Sequence, residues 1–168
     1  AARVSYAKEK EEFEKSDERL IRYLAEHKHW SPFAHTFLSF RIKAPVFVAR
    51  QLVKHQVGLV WNEESRRYIT HDPEIYNIRK WREKPDSSKQ GSGEQILIST
   101  ELNLEVNEHL QQGLSLYNRL LLENVAPEQA RAVLPQSMYT NWIWSGTLYA
   151  FARVCELRLD EHSQKETQ

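Results

Sequence analysis

The sequence predicts an α+β fold in which a small antiparallel sheet packs against helices. Residues 35–42 and 138–144 are rich in aromatic and β-branched side chains, which is typical of strands. Longer stretches around them repeat apolar residues at helical spacing, and no internal repeat is present. A chain of 168 residues is long enough for one core and short for two. We therefore predict a single domain over residues 1–168.

The N-terminal half is predicted to alternate helix, strand and helix. Ser16 begins an amphipathic helix that ends at residues 27–29. The strand over 35–42 follows, with alternate apolar residues on one face. Pro45 is placed in the first turn of a second helix, which is predicted to end near residues 55–58.

The C-terminal half is predicted to be mainly helical. Residues 80–93 mix proline, serine and glycine with charges, which favours a mobile surface loop. Residues 94–124 keep a helical period of leucines and predict one long or broken helix. A short helix from Pro127 to Leu134 and the second strand follow. A last helix runs from about Leu148 past Arg158.

Composition argues against several classes of partner. Lys and Arg total 23 and so do Asp and Glu, so a bound anion needs a local cluster of cations. The longest apolar runs, such as residues 44–49, are far too short for a bilayer span, and no leader precedes them. We expect a cytoplasmic protein that binds neither nucleic acid nor membrane. Because the chain begins without Met and stops among helix formers, we also expect truncation at both ends.

The densest polar cluster lies in residues 50–56 and 62–68. A nucleoside monophosphate site needs guanidinium groups and hydroxyl or main-chain donors for the phosphate, and side-chain amides for the base. Ser65, Arg67, Arg131, Gln51 and Arg158 are of these types. The alternative is that the charged residues at 63, 64, 66 and 67 form a solvated ion-pair surface.

The order of these residues resembles the signature of flavin-dependent thymidylate synthases. That signature is Arg-His-Arg, a short spacer, and Asn-Glu-x-Ser-x-Arg-Tyr, and this chain has His55 followed by residues 62–68. Lys54 and Gln56 replace the flanking arginines, and the spacer is one residue longer. Residues 1–5, 31–35, 43–51, 130–135 and 157–162 resemble further family blocks in the family's order, so the resemblance covers nearly the whole chain.

The resemblance implies a homotetramer that converts dUMP to dTMP with FAD, using methylenetetrahydrofolate and NADPH as co-substrates. In that family the counterpart of Arg131 reaches in from a neighbouring subunit, and we expect Arg158 to be the catalytic residue that activates the pyrimidine. Positions matching dUMP contacts are Gln51, Lys54, Glu63, Glu64, Ser65, Arg66, Arg67, Arg131 and Arg158. Positions matching FAD contacts are Ser31, Lys54, His55, Gln56, Glu63, Thr147, Tyr149, Arg153 and His162.

Other chemistries remain open from the residues alone. Cys155, the only cysteine, is predicted to be a buried, inert thiol on the apolar stripe of the last helix, which disfavours covalent attack on the pyrimidine. Histidines 27, 29 and 35 raise the hypothesis of a metal hydrolase, but no carboxylate or cysteine with ligand spacing completes the set. A non-catalytic nucleotide- or RNA-binding module is a further alternative, which the neutral net charge disfavours.

Overall fold

The computed structural model describes residues 1–85 and 91–168. The elements are, in chain order, α1 (Lys15–Glu26), β1 (Phe37–Pro45), α2 (Val46–Leu52), β2 (Leu59–Glu63), β3 (Trp81–Arg82), β4 (Gln95–Ile96), α3 (Thr100–Leu122), α4 (Pro127–Ala130), β5 (Tyr139–Thr147) and α5 (Leu148–Arg158). Short 3₁₀ turns occur at Val4–Tyr6, Ser31–Ala34, Arg131–Val133 and Lys165–Thr167. Among the described residues, no helix is long and apolar enough to cross a membrane.

The main sheet is antiparallel, in the order β1-β5-β2, so the last strand in sequence lies at the centre. Alternate residues of β5 point to opposite faces, and its buried set is Thr140, Trp142, Trp144 and Gly146. Helices α2 and α5 pack against this sheet and contribute Ala49 and Val154 to the core formed with the two tryptophans. The predicted α+β class with a small antiparallel sheet is thereby confirmed.

The sheet also contains a strand that the sequence analysis missed. Residues of β2 pair with β5, with Trp61 opposite Trp144 and stacked on Trp142 at 4.2 Å between ring centroids. The second predicted helix ends at Leu52, before the predicted end at 55–58, which leaves room for this strand. Pro45 is the last residue of β1 and the N-cap of α2, which begins at Val46. The prediction that Pro45 lies within the first helical turn therefore started the helix one residue too early.

The predicted surface loop and long helix need correction. Trp81 and Arg82 of the loop pair with Gln95 and Ile96, so that β3 and β4 form a second, two-stranded sheet. The helix α3 therefore begins at Thr100, not at residue 94. Ser99 accepts a hydrogen bond from Leu102 N at 3.1 Å and caps this start. Two-residue strands carry too little periodicity to be recognised. Residues 86–90 of the predicted loop lie outside the described residues.

Candidate functional site

The last residue of α5 reaches across to the end of α2. Nε of Arg158 donates to Nε2 of His55 at 2.9 Å, and its Nη2 lies 3.5 Å from the carbonyl oxygen of Gln51. The packing of α2 and α5 on one face of the sheet makes this contact, which joins residues 103 positions apart in sequence. Three of the predicted site residues are thus brought together.

The contact with Arg158 decides the protonation of His55. A guanidinium has only donors, so Nε2 of His55 must accept, and the imidazole carries its single proton on Nδ1. Burial, and then the positive charge of Arg158, lower the pKa of His55 below its ordinary value. His55 is therefore a neutral acceptor that fixes the orientation of the guanidinium.

The side-chain amide of Gln51 adds an unpartnered polar group to this region. Its Oε1 is buried and has no hydrogen-bond partner within residues 1–85 and 91–168. A buried amide oxygen without a partner costs free energy, so such a group is usually satisfied by water or a ligand. The amide is suited to accept from an N–H or O–H donor.

Side chains of β5 donate hydrogen bonds to the two glutamates of the signature, Glu63 at the end of β2 and Glu64 directly after it. The carboxylate of Glu63 accepts from Thr140 Oγ1 at 2.7 Å and from Trp61 Nε1 at 3.0 Å. The carboxylate of Glu64 accepts from Asn141 Nδ2 at 2.9 Å, and its main-chain N–H donates to Asn141 O at 2.9 Å. Both carboxylates are therefore oriented by neutral hydrogen-bond donors rather than by ion pairs.

A tight turn after β2 carries Ser65. Its carbonyl oxygen accepts from the N–H groups of Tyr68 and Ile69 at 3.0 and 3.2 Å, and its hydroxyl accepts from Arg67 N at 3.3 Å. Arg66 as a whole is 6% exposed, and its guanidinium donates to the carbonyl oxygen of His71. The side chain of Arg66, a predicted dUMP contact, is therefore buried and already hydrogen-bonded within the chain.

Two further predicted site residues, Arg67 and Arg131, both contact Glu128. Nε of Arg67 lies 3.5 Å from its carboxylate, and Nε of Arg131 donates to its carbonyl oxygen at 3.1 Å. Both arginine side chains are exposed. Ser65, Arg67 and Arg131 thus form a cationic surface that could hold a phosphate. We call these three residues the phosphate cluster.

The outer side of α5 forms one wall of an open groove of about 590 Å³. Trp30 and Tyr149 are neighbours there, with ring centroids 5.9 Å apart and ring planes tilted by 45°. Arg153 and Lys28 add positive charge. Ser31, which follows Trp30, is exposed and begins a 3₁₀ turn. The groove, which we call the aromatic groove, is lined by Ala25, Lys28, His29, Trp30, Phe33, Leu148, Tyr149, Ala152, Arg153 and Glu156.

The remaining predicted flavin positions lie outside this groove. Thr147 caps α5, with Oγ1 accepting from Ala150 N at 3.1 Å. Lys54 and Gln56 are exposed in the connection between α2 and β2. His162 is exposed after α5, with Nδ1 3.0 Å from the carboxylate of Asp160. Among the described residues, no hydrogen bond or ion pair joins the groove to Arg158 or His55.

A family model described as thymidylate synthase complementing protein matches residues 1–168, which is the whole chain. The chain belongs to the thymidylate synthase complementing protein family. The resemblance seen in the sequence is thereby confirmed.

Curated proteins named flavin-dependent thymidylate synthase are similar to this chain over nearly its full length. A flavin-dependent thymidylate synthase of Kosmotoga olearia is 41% identical over 172 residues, which cover 100% of this chain and 73% of that protein. One from Thermosipho melanesiensis is 39% identical over 171 residues, covering 100% and 73%. One from Dictyostelium discoideum is 37% identical over 169 residues, covering 99% and 55%.

The prediction for the cysteine of this family member was wrong. Cys155 is exposed, whereas the core side of α5 carries Ala150 and Val154. Residues 150 and 154 have the same spacing as residues 151 and 155, so either pair could form the buried stripe of the helix. The sequence pattern alone assigned Cys155 to that stripe, which was the wrong choice. Phe151, one turn before Cys155, is half-buried and packs on Trp144 with ring centroids 5.4 Å apart.

Sequence reasoning missed four residues that shape the candidate site. Thr140 and Asn141 orient the two glutamates, and Trp30 and Phe33 line the aromatic groove. Trp30 adjoins the Ser31-Pro32 block and could have been found there. The roles of Thr140 and Asn141 depend on the register of β5 with β2, which no local pattern reveals.

The histidines do not form a metal site in the described parts of this family member. Over residues 1–85 and 91–168, no group of three or more His, Cys, Asp or Glu side chains is arranged to hold a metal ion. His27 instead bonds its own helix, with Nδ1 2.8 Å from the carbonyl oxygen of Tyr23, and stacks on that ring.

Proposed function

We propose that this chain is a subunit of a flavin-dependent thymidylate synthase that reductively methylates dUMP to dTMP. The one-carbon unit comes from methylenetetrahydrofolate and the reducing equivalents come from NADPH. The observation that carries the proposal is the Arg158 guanidinium, fixed by His55 and by the carbonyl oxygen of Gln51, within a chain whose family is established.

The substrate is held at two ends. Ser65 and Arg67 of the phosphate cluster supply a hydroxyl and a guanidinium group for the phosphate of dUMP, and Arg131 of a neighbouring subunit adds a second guanidinium group. Glu64 and the main chain of Arg66 continue the same turn. At the other end, the unpartnered amide of Gln51 is suited to the polar edge of the pyrimidine. Lys54 is exposed nearby in sequence and adds positive charge.

Arg158 activates the pyrimidine without a covalent bond. A guanidinium remains protonated at neutral pH and cannot act as a base, but it stabilises negative charge that develops when N3 of uracil loses its proton. Each pKa unit of such stabilisation corresponds to about 1.4 kcal/mol. Because His55 already fixes Nε of the guanidinium, little reorganisation is needed when the charge develops.

The aromatic groove fits part of FAD. Its adjacent Trp30 and Tyr149 rings offer apolar surface to a planar heterocycle, and Lys28 and Arg153 offer charge to a pyrophosphate. His55, Gln56, Glu63 and His162 are proposed to contact the flavin elsewhere, with Ser31 and Thr147 at the edges of the groove. When bound, FAD supplies the two-electron reduction that the methylation requires.

The proposed active form is a homotetramer in which Arg131 serves a neighbouring subunit. Exposed leucines on one long helix support association, because a lone chain leaves 57% of Leu104 and 86% of Leu122 accessible. On the open face of the sheet, Phe37 and Val60 are 64% and 65% exposed. A structure with dUMP bound would identify the chain whose Arg131 contacts the phosphate.

The test compares Arg158→Ala with Cys155→Ala on the same helix. Arg158→Ala is expected to lower the rate of dTMP formation roughly a hundredfold or more, because the charge that stabilises the transition state is removed. Cys155→Ala is expected to retain activity, and its free energy of unfolding should change by less than about 0.5 kcal/mol because the thiol is exposed. The rate of dTMP formation is measured near neutral pH, and the flavin absorbance of each purified variant shows whether FAD is bound.

Both variants are expected to bind FAD, so the purified proteins should be yellow. Near-normal turnover by Arg158→Ala would contradict the role of the guanidinium. A folded, flavin-loaded Cys155→Ala protein without activity would instead restore covalent catalysis by the thiol. A colourless protein that binds nucleotides or RNA without turnover would favour the non-catalytic module.

A further inference from the structure

We propose that Arg82 is a positioning residue that keeps Arg158 in place by holding the C-terminal segment, residues 159–168, against α2 and α5. Its effect on catalysis rests on the proposed function, whereas its effect on the geometry of Arg158 does not. Arg82 lies on the two-stranded sheet, outside the polar cluster of residues 50–68 and outside the aromatic groove.

Arg82 makes a sheltered ion pair with the C-terminal segment. Its Nη2 pairs with the carboxylate of Glu166, and its Nε donates to Ser92 Oγ at 2.6 Å. The two charged side chains are only 23% and 19% exposed. Burial is the largest influence and raises the pKa of Glu166, but the hydrogen bond from Arg82, a main-chain hydrogen bond and the charge of Arg82 together outweigh it, and the pKa lies below its ordinary value. The pair is thus less screened than a surface ion pair.

A second close approach brings the backbone just before β4 near the same segment. Gly91, just before β4, has φ +80°, and a Cβ atom built there would lie 3.3 Å from the carbonyl oxygen of His162. The positive φ favours glycine, and a side chain there would press on the carbonyl oxygen of His162. The backbone before β4 thus passes close to residue 162, in addition to the ion pair at Glu166.

The segment in turn is bonded to the end of α5. Ser163 is buried and its hydroxyl donates to the carbonyl oxygen of Leu157 at 3.0 Å. Gln168 Nε2 donates to Asp160 O at 2.7 Å. The 3₁₀ turn Lys165–Thr167 also packs against α2. A shift of Glu166 is thus transmitted to the last turn of α5, which carries Arg158, and to the helix that carries Gln51.

The experiment compares Arg82→Met and Glu166→Gln with Arg79→Met, a nearby exposed arginine that serves as the matched control. The first two are expected to lower kcat/KM for dUMP at least about tenfold, since a small misplacement of a catalytic group is costly. Flavin content should stay near that of the unsubstituted protein. The control should behave as the unsubstituted protein does.

The charge-swapped variant Arg82→Glu/Glu166→Arg separates positioning from general stability. It is expected to recover kcat/KM relative to Arg82→Glu alone, because the ion pair is restored with reversed sign. If Arg82→Met fails to fold, the comparison of this double variant with Arg82→Glu still tests the proposal. A swap no more active than the single variant, or an unchanged kcat/KM in Arg82→Met, would overturn the proposal.

The position of Arg158 can also be tested by a measurement that does not depend on turnover. Because the charge of Arg158 contributes to the lowered pKa of His55, its displacement in Arg82→Met should raise that pKa toward the ordinary value. NMR titration of the His55 ring measures this. An unmoved pKa contradicts positioning by Arg82, even if the unsubstituted protein forms no dTMP. Absent turnover in the unsubstituted protein would count against the proposed function instead.

Discussion

At the scale of single residues, the pairing of Arg158 with His55 assigns a distinct role to each. The guanidinium donates and the imidazole accepts, so no proton passes between them. The histidine supplies orientation and the arginine supplies charge. The sequence allowed each residue to be placed in the site by resemblance, but their contact crosses 103 positions and depends on how α2 and α5 pack.

His55 makes the stability of the protein depend on pH in a definite direction. Its folded-state pKa is lowered from 6.5, by burial and then by Arg158. Below about pH 6.5 the unfolded chain therefore binds a proton that the folded chain does not. The contribution of His55 to stability is complete above this pH, and it is lost as the pH falls toward the folded-state pKa.

We expect His55→Gln to lose less free energy of unfolding between pH 8 and pH 5 than the unsubstituted protein loses. Urea denaturation at the two pH values measures the difference. NMR of the unsubstituted protein should show the proton on Nδ1 of His55. An NMR pKa for His55 at or above the ordinary value would refute this account of the residue.

At the scale of elements, the site depends on the pairing of β2 with the central strand β5. Gly146 lies opposite Leu59 in that pair, and a Cβ atom there would lie 2.2 Å from the carbonyl oxygen of Gly58. Gly58 itself has φ +74°, in the region that favours glycine. The two glycines let the chain enter β2 close against β5, and β2 leads directly to Glu63 and Ser65.

Gly146→Ala is expected to lower the free energy of unfolding by about 3 kcal/mol, because backbone must move to admit the methyl group. Ser145→Ala is the matched control on the other face of β5. It removes an exposed hydrogen bond to Ser39 and should cost about 1 kcal/mol or less. Urea denaturation compares the two. Equal decreases in the free energy of unfolding for the two variants would contradict a tight approach between Gly146 and the carbonyl oxygen of Gly58.

The same elements show why some strands could be predicted and β2 could not. Strands β1 and β5 have nine residues each, long enough for alternation and aromatic content to be visible. Strand β2 has five, of which Asn62 and Glu63 are polar, and it exists because β5 offers it a partner. Pairing of this kind is not recorded in the local sequence.

At the scale of the whole molecule, the fold class follows from local patterns, whereas the arrangement of the site does not. Chain order gave no reason to place β5 between β1 and β2, yet this topology brings Thr140 and Asn141 to the glutamates. Among the described residues, no hydrogen bond or ion pair joins the phosphate cluster or the aromatic groove to Arg158. The proposed sharing of sites among subunits would account for this.

The most direct test of the central claim is a structure of the protein with dUMP and FAD bound. We predict the Arg158 guanidinium at a hydrogen-bond distance of about 3 Å from the pyrimidine, with Ser65 and Arg67 at the phosphate and the isoalloxazine against the same pyrimidine. Arg131 of a neighbouring chain should reach that phosphate. A complex in which Arg158 and Ser65 contact neither ligand would contradict the account.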